Sequence, residues 1–114
     1  MKKLVYLISP SKINKEFYSQ LDEVLIFKNV KFFQLRLKKV KENSLIKIAK
    51  KIKKITDKHK VKLIINDNYK LACKINADGC HMGQFDGSFK IARKKLKNKI
   101  LGITCHNSEA LAKN

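Results

Sequence analysis

Val61-Lys62-Leu63-Ile64-Ile65-Asn66-Asp67 is the stretch that decides the fold. Four of its first five residues are apolar and mostly β-branched. The pattern predicts a strand buried on both faces, which is the habit of parallel rather than antiparallel sheets. The strand runs out into two polar residues, Asn66 and Asp67. Upstream, Leu45, Ile48, Ala49, Ile52 and Ile55 form the stripe of a long amphipathic helix that ends near His59, with Ser44 as its expected N-cap. Downstream, Tyr69 to Ile75 reads as a short helix. A buried strand set between two helices needs helical crossovers to parallel neighbours.

The alternation continues in both directions. Leu4 to Ser9 reads as a strand stopped at Pro10, and Lys15 to Lys28 as a helix with Phe17, Leu21, Val24 and Leu25 on one face. Lys31 to Lys38 reads as the second strand, Gly79 to Gly83 as the fourth and Ile100 to Thr104 as the fifth. Ser88 is the expected cap of a helix carrying Ile91, Ala92 and Leu96, and Ser108 to Ala112 begins a last helix. The 114 residues are too few for more than one domain, so residues 1–114 form a single unit. A flavodoxin-like five-stranded sheet and a shortened (β/α)8 barrel both satisfy this order.

The second strand departs from the apolar rule. In Phe33-Gln34-Leu35-Arg36-Leu37-Lys38, a period of two puts Gln34, Arg36 and Lys38 on one face and Phe33, Leu35 and Leu37 on the other. The apolar face meets helices, so the polar face looks into something wet or charged. An exposed antiparallel or edge strand would alternate in the same way. In the fifth strand, Gly102, Thr104 and His106 share a face in the same manner.

Acids are scarce, at nine Asp and Glu against 27 Lys and Arg, for a net charge of +18. Asp67 and Asp86 therefore stand out where strands run into loops. Of the bases only Arg36 and Arg93 are arginines, and the lysines are spread over helix faces. A dedicated nucleic-acid surface draws on the arginine fork, so the charge reads first as solvated helix faces. Three cysteines, Cys73, Cys80 and Cys105, have no disulfide-framework spacing. They point to reduced thiols and a cytoplasmic protein. Cys80-His81 and Cys105-His106 are poor zinc pairs, because adjacent strand residues point to opposite faces. Gly79, Gly83 and Gly87 match no nucleotide fingerprint and are expected where backbones approach closely. The apolar run after Met1-Lys2-Lys3 is too short for a signal peptide, and no stretch has the length of a membrane span.

Taken together, several blocks resemble the thiamine phosphate synthase and thiazole tautomerase family. They are Leu4 to Ile8, Gln34 to Lys38, Ile64 to Asp67, Ala77 to Gln84 with Asp86, Ala92-Arg93, and Gly102 to His106, in family order along the chain. Leu37 and Thr104 depart from it, since many members carry Glu and Ser there. The resemblance implies a (β/α)8 TIM barrel of which this chain is about the first five βα units, with the later strands and their loops missing. It implies a transferase of thiamine biosynthesis that joins an aminopyrimidine-methyl diphosphate to a thiazole phosphate and releases pyrophosphate. Asp67 and Asp86 would hold Mg²⁺. Arg36 and Lys38, with Thr104 and His106, would be the catalytic groups. Gln34, Leu35, Arg36, Leu37, Lys38, Asn66 and Thr104 would line the substrate site. Partners would be these small molecules, with neither membrane nor nucleic acid, and open barrel edges would permit oligomers. The alternatives are a tautomerase-like protein, a small basic anion- or nucleic-acid-binding module, and a half-barrel inert alone.

Overall fold

The order of strands in the sheet separates the two architectures that the sequence left open. The computed structural model describes residues 5–27, 29–83, 89–96 and 99–104. The elements alternate as β1 (Val5–Ile8), α1 (Lys15–Val24), β2 (Val30–Leu35), α2 (Glu42–Lys58), β3 (Lys62–Asn66), α3 (Tyr69–Lys74), β4 (Gly79–Gly83), α4 (Phe89–Leu96) and β5 (Ile100–Thr104). The sheet runs β1-β2-β3-β4-β5, and every neighbouring pair is parallel. A flavodoxin-like sheet reverses its strand order at a switch point. This one never reverses. With right-handed crossovers, unbroken sequential order puts all the helices on one side, as in a (β/α) barrel.

Side-chain burial agrees with that geometry. Phe33, Leu35, Leu63, Ile65, Cys80 and Met82 alternate along the three central strands and are nearly or wholly buried. They join Leu21 and Leu25 after and within the first helix, Ala49 and Ile52 of α2, Leu71 and Ala72 of α3, and Leu96 of α4 in one core. The other face carries Tyr6, Ile8, Phe32, Gln34, Ile64 and Ile100, aligned by the registers Tyr6↔Phe32, Ile8↔Gln34, Gln34↔Ile64, Ile64↔Gly79 and Gly79↔Ile100. Ile64 is buried yet stands outside the helix-side core. Tyr6, Ile8 and Ile100, on the two outer strands, remain 45%, 54% and 41% exposed.

Several boundaries differ from the sequence reading. The first helix stops at Val24 instead of Lys28, and Leu25, Ile26 and Phe27 continue as tight turns through bonds to Leu21, Glu23 and Val24 carbonyls. Ser44 does not cap α2. The helix starts at Glu42 with Lys41 at the N-cap, where no side-chain capping bond forms. The second strand ends at Leu35, because its ladder with β3 ends at Leu35↔Ile65. It is also an interior strand between β1 and β3, which rules out the antiparallel or edge alternative. The expected cap Ser88, Gly87, Cys105 and the last helix from Ser108 lie outside the described residues. Among the described residues, no helix is long and apolar enough to cross a membrane.

Candidate functional site

Parallel strands in one direction bring all their carboxyl ends to the same rim, and the rim collects the polar residues. Arg36 follows β2, Asp67 follows β3, and β4 and β5 end in the paired residues Gly83 and Thr104. His81 lies two residues inside β4, in register with Asn66 on one side and Gly102 on the other.

Asp67 owes its position to a reversal of the backbone. Its φ of 58° is in the left-handed region, which aspartate and asparagine tolerate better than other L-residues. The turn is pinned by the Asp67 N–H, which donates to the His81 carbonyl at 2.7 Å. The carboxylate stays exposed, and Asn66 Nδ2 donates to its Oδ2 at 3.3 Å. Asn68 then caps α3, accepting the Leu71 N–H at 2.9 Å.

His81 is the centre of the electrostatics. Burial pushes its pKa below the ordinary 6.5, Asp67 pulls it upward, and Arg36 pushes it down again. Desolvation is the largest of the three effects, so the imidazole is held toward its neutral form. That Arg36 and Asp67 both act on His81 puts a cation, a carboxylate and an imidazole in one electrostatic neighbourhood, although they come from three different strands.

Gln34 is buried at 5% exposure, and its Nε2 donates to Tyr6 Oη at 2.9 Å. Tyr6 in turn stacks on Phe32 with centroids 5.5 Å apart. The Leu35 side chain belongs to the helix-side core, and Leu37 is half-buried against the same core. Any contact Leu35 makes at the rim must therefore come from its backbone, whereas Leu37 also lines the cavity between the first two βα loops. Lys38 lies past the end of the strand and does not continue the Gln34–Arg36 alternation. It lines a cavity of about 620 Å³ between the first two βα loops with Lys12, Lys39 and Ile48. Thr104 is placed only as the last residue of β5. Asp86 and His106 lie outside the described residues, as does Gln84.

Two residues at this rim went unread in the sequence. His81 was weighed only as half of a zinc pair. The signal that finds it is the period of two from Gly79, which sets it on the face of Asn66 rather than with Cys80. Ser9 was read only as the end of a strand. It is 8% exposed, and its Oγ accepts the Arg36 N–H at 2.8 Å.

Among the described residues, no group of three or more His, Cys, Asp or Glu could form a protein-only metal cage. Mg²⁺ rarely needs one, because it keeps several waters and takes one or two carboxylates together with substrate phosphates. A single exposed carboxylate at a strand end, such as Asp67 presents, fits that requirement.

A one-sided parallel sheet in sequential order, with a polar rim at the carboxyl ends of its strands, defines a barrel-type (β/α) domain. Comparison with known proteins narrows this. The sequence profile of the family described as thiamine monophosphate synthase matches residues 5–114, and the chain belongs to that family. It is 60% identical over 113 residues to the thiamine-phosphate synthase of Pelagibacter ubique (strain HTCC1062), covering 98% of this chain and 55% of that protein. It is 41% identical over 108 residues to the thiamine-phosphate synthase of Clostridium acetobutylicum, covering 92% and 51%. A solved structure, the thiamine phosphate pyrophosphorylase from Pyrococcus furiosus, superposes with a TM-score of 0.76 at 23% identity, over 90% of this chain and 50% of that one. The last likeness concerns the fold alone. The chain spans about half the length of the relatives it matches.

Proposed function

We propose that this chain supplies the diphosphate-binding side of a thiamine-phosphate synthase site. The observation that supports the reading is that Arg36 and Asp67 stand at the carboxyl ends of the adjacent strands β2 and β3, with the Asp67 N–H bonded to the His81 carbonyl at 2.7 Å. The reaction joins an aminopyrimidine-methyl diphosphate to a thiazole phosphate. The methylene–oxygen bond breaks, its electron pair leaves with pyrophosphate, and the thiazole nitrogen lone pair forms the new carbon–nitrogen bond. Charge accumulating on the leaving diphosphate is the main demand on the protein.

Arg36 meets that demand with a fixed cation, and its planar fork suits phosphate oxygens. Lys38 adds a second positive charge from the same β2–α2 loop. Asp67, with Asp86, would hold Mg²⁺, which when bound neutralises phosphate oxygens. Gln34 and Asn66 orient the substrate through neutral hydrogen bonds. Thr104 and His106 complete the substrate side from the fifth strand and beyond. His81, held neutral, offers a ring nitrogen without adding charge.

Binding is the right test for a chain half the length of its relatives. Calorimetric titration with the aminopyrimidine-methyl diphosphate, with and without Mg²⁺, should show affinity that the ion strengthens. Asp67→Asn keeps a residue that tolerates the left-handed backbone, so it removes the charge without disturbing the turn. It should weaken the Mg²⁺-dependent binding about tenfold or more, the scale of a disturbed metal site. An affinity indifferent to Mg²⁺ and to Asp67→Asn removes the metal assignment, and no binding by the parent chain removes the function.

A further inference from the structure

We infer that Ser9 is a positioning residue, which fixes the backbone of Arg36 and so aims its guanidinium at the diphosphate. The inference rests on the function proposed above. β2 ends at Leu35. Beyond a strand end, a backbone N–H needs another acceptor, because an unpaired buried donor is costly. For Arg36 that acceptor is the Ser9 hydroxyl at 2.8 Å.

Ser9 is itself held on two sides. Its N–H donates to the Gln34 carbonyl at 2.9 Å, and its hydroxyl donates to the Pro10 carbonyl at 3.1 Å. With the hydroxyl proton committed to Pro10, an oxygen lone pair is left facing the Arg36 N–H. Its low exposure of 8% keeps water from replacing that bond. The first strand therefore grips the second at the residues on either side of Leu35, and both of them carry candidate substrate contacts. A long, flexible side chain gains most from a fixed backbone, since the entropy of ordering it falls when its root cannot swing.

The test is a mutant cycle read by titration with inorganic diphosphate and Mg²⁺. Ser9→Ala removes the hydroxyl, Ser9→Thr keeps it, and each is combined with Arg36→Ala. Ser9→Ala should weaken binding by up to about tenfold, the upper end of what one neutral hydrogen bond is worth. Ser9→Thr should restore it. In the Arg36→Ala background Ser9→Ala should change nothing further, because residues acting through one another are not additive. Amide exchange supplies a ligand-free reading: Ser9→Ala should release the Arg36 N–H while the Phe33 and Leu35 amides keep their protection. Equal affinity in Ser9→Ala, or an additive loss in the Arg36→Ala background, overturns the positioning role and leaves the function standing. Failure of the parent chain to bind diphosphate overturns the function. In that case unchanged Arg36 exchange in Ser9→Ala overturns the clasp as well.

Discussion

Replacing Gly79 with alanine tests a close approach between β4 and β5. No glycine here has positive φ among the described residues, so alanine suits the backbone angles and only space opposes it. An added Cβ would stand 2.5 Å from the Ile100 carbonyl oxygen, 2.6 Å from Ile100 Cβ and 3.0 Å from the Ile100 carbonyl carbon. Two of these are backbone atoms, so a rotamer change cannot clear them. Carbon atoms in good contact sit about 3.5 Å apart, so β5 must retreat by about 1 Å. Overpacking of this kind costs about 1–3 kcal/mol. One or two ladder bonds weakened at the Gly79↔Ile100 end of the pairing add about 1 kcal/mol each. Against that, the loss of glycine freedom in the unfolded chain returns about 0.4–1 kcal/mol. The net expectation is a loss of about 2–3 kcal/mol, or about 10 °C in Tm for a domain near this size. Urea denaturation measures the loss. Amide exchange at Leu101 and Ile103 locates it, because a displaced β5 should exchange faster while β2 and β3 do not. A change under about 0.5 kcal/mol, with β5 exchange unaltered, would refute the assigned close approach.

Two other perturbations separate the core from the rim. Phe33→Ala empties a site that is 2% exposed and packs its ring 6.0 Å from Phe17, and it should cost about 3–5 kcal/mol in urea denaturation. A loss under about 1 kcal/mol would mean that α1 does not lie on this face. His81 has a folded pKa below its ordinary 6.5, so the unfolded chain takes up a proton first on acidification. Its contribution is therefore fully favourable above about pH 6.5 and declines as pH falls below that value. His81→Asn should flatten this slope, and an imidazole NMR titration at or above pH 6.5 would contradict it.

The elements bounded by glycine or by clear apolar runs were legible in the sequence. β4 and β5 fall where the residues put them, at Gly79–Gly83 and Ile100–Thr104. The polar alternation of the second strand was legible as chemistry but not as length. Gln34, Arg36 and Lys38 obey a period of two whether or not a partner strand continues beside them, and the ladder ends at Leu35↔Ile65. Local reading also favoured Ser44 as a cap, since serine is a good one, yet the helix gains a turn by starting at Glu42 without any side-chain cap. The residues it adds, Glu42 to Ser44, are exposed, and Glu42 in the first turn suits the positive end of the helix dipole. Strand order was not legible in the alternation of helices and strands, which permits both reversed and sequential sheets; the family resemblance alone implied the sequential order of a barrel. Ser9 was invisible for a related reason: its partner is a backbone N–H 27 positions away, and no spacing rule encodes that.

The rim gains its character from a conflict that burial settles. Asp67 alone would favour a charged imidazole at His81, and a protonated His81 would add a second cation to Arg36 across the intervening strand β3. Desolvation outweighs the aspartate, and Arg36 acts in the same direction as burial. Asp67 meanwhile keeps an exposed side chain, while its backbone is anchored to the His81 carbonyl. Opposite charges thus coexist on one rim without neutralising each other in a direct salt bridge among the described residues. In the proposed function this separation leaves Asp67 to the ion and the Arg36 guanidinium to the phosphate.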